Sequence, residues 1–232
     1  MKFTLLTLIS FLYYSNLHAQ NTTHNAILIK PKMVTLSAGI EGNIIQFSKV
    51  TVGNIGYSTI PRYTYFFNSG IDINFKIRKQ LTLFTGFQLK NIGIITKYND
   101  SLKTKERVYT IGAPAGIKLF SRDKKIMFKT GADIGLAFNY KWKRYEFNKK
   151  VAKGNEFFSN KSNLMLASVF AGFEYAGLSL TANYYLTNFY NATITTKEGQ
   201  IFTIGIGVHL DSDWVKIQQS KSKAKNTVAY LK

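Results

Sequence analysis

The amino-acid sequence predicts an all-β fold, an eight-stranded antiparallel up-and-down barrel that crosses a membrane, and three observations carry the prediction. Eight segments of the 232-residue chain alternate apolar with polar or small residues, a period of two that puts the two sets on opposite faces of a strand. The connections between these segments run long, short, long, short, as in barrels whose tight turns face one compartment and whose loops face the other. Beyond Gln20 no run of about 18 apolar residues occurs, so no spanning helix is expected.

The N-terminus reads as an export signal. Lys2 is a short positive region, Leu5 to Tyr14 an apolar core, and Leu17-His18-Ala19 ends on a small residue, the pattern of a secretory signal peptide over 1–19. An apolar stretch of about 10 residues is too short for a helix that must cross about 30 Å of hydrocarbon. The mature chain is therefore expected to begin at Gln20 and to fractionate with the outer membrane. The intact mass of the membrane form checks this, and retention of residues 1–19 would refute it.

Residues 20–32 are expected to form a periplasmic segment before a barrel over 33–210. Strands are expected at about 33–48, 63–78, 80–96, 107–121, 126–143, 162–176, 178–191 and 200–210, with ends uncertain by roughly two to four residues. Tight turns separate the second from the third (Arg78-Lys79-Gln80), the fourth from the fifth (Arg122-Asp123-Lys124-Lys125) and the sixth from the seventh (Ala176-Gly177). The fifth strand has the clearest pattern. Ile126, Phe128, Thr130, Ala132, Ile134, Leu136, Phe138, Tyr140 and Trp142 share one face; Met127, Lys129, Gly131, Asp133, Gly135, Ala137, Asn139 and Lys141 share the other. Lysines and an aspartate opposite an apolar face favour lipid outside and polar groups inside. Pro114 in the fourth strand lacks a ladder donor, so a bulge or one missing bond is expected there.

Orientation follows from the aromatics. Tyr63, Tyr65, Tyr109, Tyr140, Trp142 and Tyr190 lie near the loop ends of their strands, where amphipathic rings settle at a membrane interface. Phe173 and Tyr175 suit the other rim. With short turns at the periplasm, an even strand number returns both termini there.

The inner face carries the most chemistry. Its phase puts Glu41, Asp72, Asp133 and Glu174 inside with Lys76, Lys90, Lys118 and Lys129. An eight-stranded barrel leaves room for side chains to fill the bore, and buried charges are costly unless paired. These residues are expected to form an ionic plug, with Lys129, Lys90 and Lys118 as candidate partners for Asp133.

Some of these segments also resemble a known family. Val108-Tyr109-Thr110-Ile111-Gly112-Ala113-Pro114-Ala115-Gly116-Ile117-Lys118 is similar to a strand motif with a mid-strand proline, usually Tyr-Leu-Glu-Ile-Pro-Leu-Leu, of the Bacteroidetes outer-membrane β-barrel proteins that include PorT-like members. Gly112-Ala113 stands here where the motif has Glu-Ile. Residues 177–188 resemble that family's penultimate strand and Ile204-Gly205-Ile206-Gly207-Val208-His209-Leu210 its last. The resemblance spans roughly 33–210 and implies the fold, with a role as an accessory part of a secretion machine as one expectation. The chain departs from the family in continuing over 211–232, a basic, Ser-, Lys-, Gln- and Asn-containing stretch expected to be a periplasmic tail.

Net charge is +19, with 31 Lys and Arg against 12 Asp and Glu. The connection 141–161 is expected to be a basic extracellular loop carrying Lys143, Arg144, Lys149, Lys150, Lys153 and Lys161 besides Lys141, against Glu146 and Glu156, for a net +5. Such a patch suits outer-membrane lipid, including lipopolysaccharide phosphates, or an acidic envelope protein. Nucleic acid is a poor fit, because the location is wrong and basic residues surround the barrel. Cys 0 removes disulfides and thiolate ligands. No phosphate loop, zinc spacing or dinucleotide fingerprint is present, so no cofactor or metal is expected. Of the histidines, only His24 and His209 lie beyond the signal peptide; neither makes a convincing Ser-His-Asp set, although Asp211 and Ser212 follow His209. A structural His209 beside Glu174 is expected. The sequence thus points to a structural or binding barrel acting through its extracellular loops, with a narrow pore or secretion component as the competing class and no enzymatic activity.

Overall fold

A computed structural model describes residues 34–211 of the protein, with backbone alone for Gly42, Asn43, Tyr65, Phe66, Phe67 and Asp211. The expected signal peptide and the segment 20–32 lie outside the described residues, and so does the tail expected over 211–232 except Asp211, which belongs to the last strand. Among the described residues ten strands are formed: β1 Val34–Val52, β2 Ile55–Thr59, β3 Arg62–Lys76, β4 Leu81–Lys97, β5 Leu102–Phe120, β6 Ile126–Glu146, β7 Lys149–Phe157, β8 Met165–Tyr175, β9 Leu178–Tyr185 and β10 Lys197–Asp211.

All pairings are antiparallel. Eight strands close a ring in the order β1-β3-β4-β5-β6-β8-β9-β10, and β1 meets β10 from Ser37 opposite Asp211 to Val52 opposite Lys197. Closure leaves no edge, the requirement for a sheet in lipid, where an unpaired backbone group has no water to bond. The side chains divide as the alternation requires. Leu36, Ile71, Phe87, Ile111, Ile134, Phe173, Leu180 and Ile206, one from each ring strand, point out with 47–67% of their surface exposed. Asp72, Lys90, Lys118, Asp133, Asn183 and Thr203 point in and are buried. A barrel apolar outside and polar inside is built for lipid.

Three of the four expected extracellular loops are largely strand. After β1 the chain turns at Gly53, whose φ of +59° suits glycine, and β2 runs back along β1 before passing to β4. β2 and β3 share one place in the wall and part only at Ile60-Pro61. The connection expected over 97–106 shrinks to 98–101, where Asn99 Oδ1 accepts from the N–H groups of Ser101 and Leu102. The basic connection is a hairpin: β6 runs on to Glu146, Phe147 and Asn148 turn with φ of +46° and +63°, and β7 pairs back on β6. Both positive φ values mark the type I′ turn that matches strand twist. Past the apolar band these segments lack an apolar face, so they carried no period-two signal. The expected sixth and seventh strands are shorter, β8 beginning at Met165 and β9 ending at Tyr185, while the last, β10, is longer at both ends; irregular chain remains at 158–164 and 186–196.

Two irregularities reset the strands. At Pro114 the β4–β5 register continues from Thr85 opposite Ala115 to Gln88 opposite Gly112, with the two pairs between them unmade. Thr85 Oγ1 donates to the Pro114 carbonyl at 2.9 Å. In β6 the register with β5 steps from Ala137 opposite Thr110 to Asn139 opposite Tyr109, so Phe138 is an extra residue. Such a bulge shifts the alternation by one: inward residues are odd-numbered before it and even-numbered after it.

Candidate functional site

The bore is built in three storeys. Nearest the tight turns lies the expected ionic network, now with its pairs assigned. Lys118 Nζ donates to Asp72 Oδ2 at 2.7 Å and to Asn74 Oδ1 at 2.8 Å. Lys90 Nζ reaches Asp133 Oδ2 at 2.8 Å, both side chains at most 5% exposed. Of the three candidate partners for Asp133 only Lys90 is the pair: Lys118 is taken by Asp72 and Lys129 turns to Glu41 at 3.9 Å, because a same-face neighbour four residues along one strand is farther away than a residue reaching in from another wall. His209 Nδ1 lies 3.0 Å from Glu174 Oε2, as expected of a structural histidine, with its other nitrogen 3.9 Å from Asp72. Lys76 is half-buried on the inward phase. A cavity of about 50 Å³ among Glu41, Asp72, Lys90, Lys129 and His209 has room for a few waters.

Above it is an apolar storey absent from the sequence reading. Val50, Ile92, Ile94, Val108, Leu166, Phe189 and Ile201 converge there, each at most 2% exposed. Side chains so fully enclosed leave no water column along them.

The third storey is a vestibule at the loop end. Glu106, buried, accepts from Tyr140 Oη at 2.7 Å and from Tyr190 Oη at 2.6 Å. Lys197 Nζ lies 3.8 Å from the same carboxylate and over the rings of Tyr98 and Tyr190. A cavity of about 200 Å³ opens here, lined by Thr104, Glu106, Tyr140, Trp142, Arg144, Lys161 and Lys197. Three expected belt residues are thereby corrected. The bulge at Phe138 turns Tyr140 and Trp142 inward, and Tyr190 is 1% exposed because its irregular segment folds over the bore. Of the remaining belt, Tyr63 is 48% exposed, Tyr109 is half-buried and lies beside Phe138, and the side chain of Tyr65 lies outside the described residues.

The basic loop residues separate too. Arg144 pairs with Glu146 at 2.7 Å and lines the vestibule. Lys161 holds Glu156 at 2.5 Å, and its hydrogen bond with that of Ser159 keeps the Glu156 carboxyl below the usual carboxylate range. Lys143 and Lys153 stand on the outer wall with Lys105, Arg107 and Lys141, while Lys149 and Lys150 sit at the hairpin tip. Glu106, Lys105 and Arg107 were missed in the sequence, although running the fourth strand's phase back from Val108 finds all three.

One wall seam is not a backbone ladder. β3 pairs β4 only as far as Ser69 opposite Leu89, and β2 resumes at Thr59 opposite Thr96. Between these points Gln46 reaches across from β1, donating to the Asn91 carbonyl and accepting from the Gly93 N–H, each at 2.7 Å. Asn68 Oδ1 takes the Asn91 N–H at 3.0 Å. Arg62 clamps Gln46 Oε1 and Asn91 Oδ1, both at 2.8 Å. Side chains here satisfy backbone groups that would otherwise be buried and unpaired.

No family model matches the chain, and no curated protein does. Solved structures similar to it include outer-membrane β-barrel proteins. They include Ail, the attachment invasion locus protein of Yersinia pestis, in complex with the heparin analogue sucrose octasulfate (12% identity, 76% of this chain and 99% of that one, TM-score 0.38). Neisserial surface protein A follows at 15% identity, 77% and 97% coverage and TM-score 0.40. Acinetobacter baumannii CarO follows at 10%, 74% and 98%, and 0.34. At these scores the likenesses carry no inference about this chain's role.

Proposed function

We propose that this chain is an outer-membrane barrel of the structural or binding kind, working through its outward half and not through its bore. The observation that supports the reading is the apolar storey of Val50, Ile94, Val108, Leu166 and Ile201, which stands between the ionic network and the vestibule. The export signal, the apolar outer wall and the resemblance to Bacteroidetes envelope barrels support the location. Its partners are outer-membrane lipid, including lipopolysaccharide, and an envelope protein that meets the basic hairpin. Nothing in this reading needs a cofactor, a reaction or nucleic acid.

Planar-bilayer recording of the purified full chain tests it. Silence is the expected result. Steady nanosiemens-scale steps would overturn the filled bore and leave the transport reading, a narrow pore or a secretion accessory, in its place.

A further inference from the structure

The outer wall of β5, β6 and β7 carries its cations in rows. Lys105, Lys143 and Lys153 are cross-strand neighbours on three successive strands. The next row toward the apolar band pairs Arg107 with Lys141, and the row toward the tip pairs Lys103 with Tyr145. Adjacent strands lie about 4.8 Å apart, and like charges directly opposite one another destabilise a sheet. Yet no carboxylate occupies an outward position among these rows. The acids of this region are engaged elsewhere: Glu106 in the bore with Tyr140 and Tyr190, Glu156 with Lys161, Glu146 with Arg144, and Asp100 with Lys97. Tyrosine rings hold the cations in place, Tyr145 beneath Lys103 and Lys105 at 5.6 and 5.2 Å, Tyr109 beneath Arg107 and Lys141 at 5.4 and 5.2 Å.

Height narrows the occupant. Arg107 lies four residues beyond Ile111, an outward residue of the apolar band that is 50% exposed. At about 3.3 Å per residue and a strand tilt of about 40°, that is roughly 10 Å above Ile111 and one outward position beyond Tyr109, where the apolar band gives way to polar residues. This is the depth of a headgroup and its first sugars. A cluster of repelling cations at that depth, continuous with an apolar wall, fits an anionic amphiphile whose charges enter the rows while its chains lie on Ile111 and Leu136.

We propose that this face binds the phosphorylated headgroup of an outer-leaflet glycolipid, through Lys105, Arg107, Lys141, Lys143 and Lys153. The assignment rests on the outer-membrane placement above but not on the state of the bore. It separates these residues from Arg144 and Lys161, which face the vestibule.

The test measures the thermal stability of the folded full chain in detergent, titrated with bisphosphorylated lipid A, with dephosphorylated lipid A and with inorganic phosphate. Lipid A should raise the apparent Tm, and the other two probes should not. The Lys105→Gln/Lys143→Gln/Lys153→Gln variant should be at least as stable as the parent without lipid, because repulsion is removed, and should bind lipid A about 100-fold more weakly. Removing three lysines at the other end (Lys79→Gln/Lys124→Gln/Lys125→Gln) should leave the affinity unchanged. If the first triple fails to fold, Arg107→Gln/Lys141→Gln reads the same loss. Full lipid A affinity in the outer-wall variant that folds, or equal loss in the turn variant, would overturn the site. Equal stabilisation by dephosphorylated lipid A would reduce it to apolar contact, and equal stabilisation by inorganic phosphate would make it a soluble-anion site; either result overturns the proposal. A pore found in bilayers would refute the filled bore and leave this site standing.

Discussion

Asp133→Ala is expected to lower the unfolding free energy of the barrel by about 3 to 5 kcal/mol, the penalty for stranding a buried charge. The pair it breaks is Lys90 Nζ to Asp133 Oδ2 at 2.8 Å, in the ionic storey of the bore. Lys90 is 4% exposed, so its ammonium is left largely shielded from bulk water when the carboxylate goes. The surroundings are shaped to the pair: a Cβ on Gly112 would come within 2.7 Å of Asp133 Oδ1. Lys90→Met in the Asp133→Ala background should recover much of the loss, since it removes the orphan and keeps the volume. Lys129→Ala should not, because Lys129 faces Glu41. Denaturant titration in detergent or lipid reads both results. A neutral Asp133→Ala with no coupling to Lys90 would mean a wet, open bore, and the pore reading would replace the one proposed here.

Ile134→Arg is expected to cost about 2 to 4 kcal/mol, the depth-dependent penalty for a charge on the lipid face of a barrel. Ile134 is the outward neighbour of Asp133, 54% exposed, and flanked across β5 and β8 by Ala113 and Ala167. Small neighbours give an inserted guanidinium nothing to bond. The same titration checks it, and a neutral outcome would show that the phase of β6 is reversed.

The two substitutions sit on adjacent residues because the phase of this strand was legible in the sequence up to Ala137. Alternation alone placed all eight expected bore charges inward, and the Pro114 gap followed from the missing N–H. What alternation cannot show is an inserted residue. Phe138 continues the apolar pattern in sequence while breaking it in space, which is why Tyr140 and Trp142 read as belt residues and turned out to hold the vestibule. The apolar storey was hidden for a different reason. Ile92 and Ile94 alternate with Gly93 and Ile95, so no face stands out, and Phe189 and Tyr190 arrive from an irregular segment that no periodicity reports. Ion pairs across the bore depend on which walls face each other. That depends on ring closure, and Lys90 with Asp133, 43 positions apart, has no local signature.

The seam between β3 and β4 bears on how the ring carries load. Around a closed sheet, circumferential tension passes from strand to strand through repeated backbone hydrogen bonds, each backed by its neighbours along the ladder. Beside Asn91 and Gly93 that tension passes through the rotatable side chains of Gln46, Asn68 and Arg62, with Arg62 bonded to Gln46 as well, and backbone bonding resumes only where the Ile60 N–H donates to the Ile95 carbonyl. The wall is therefore unequally stiff around its circumference, and its most compliant line runs beside the strand break at Ile60-Pro61.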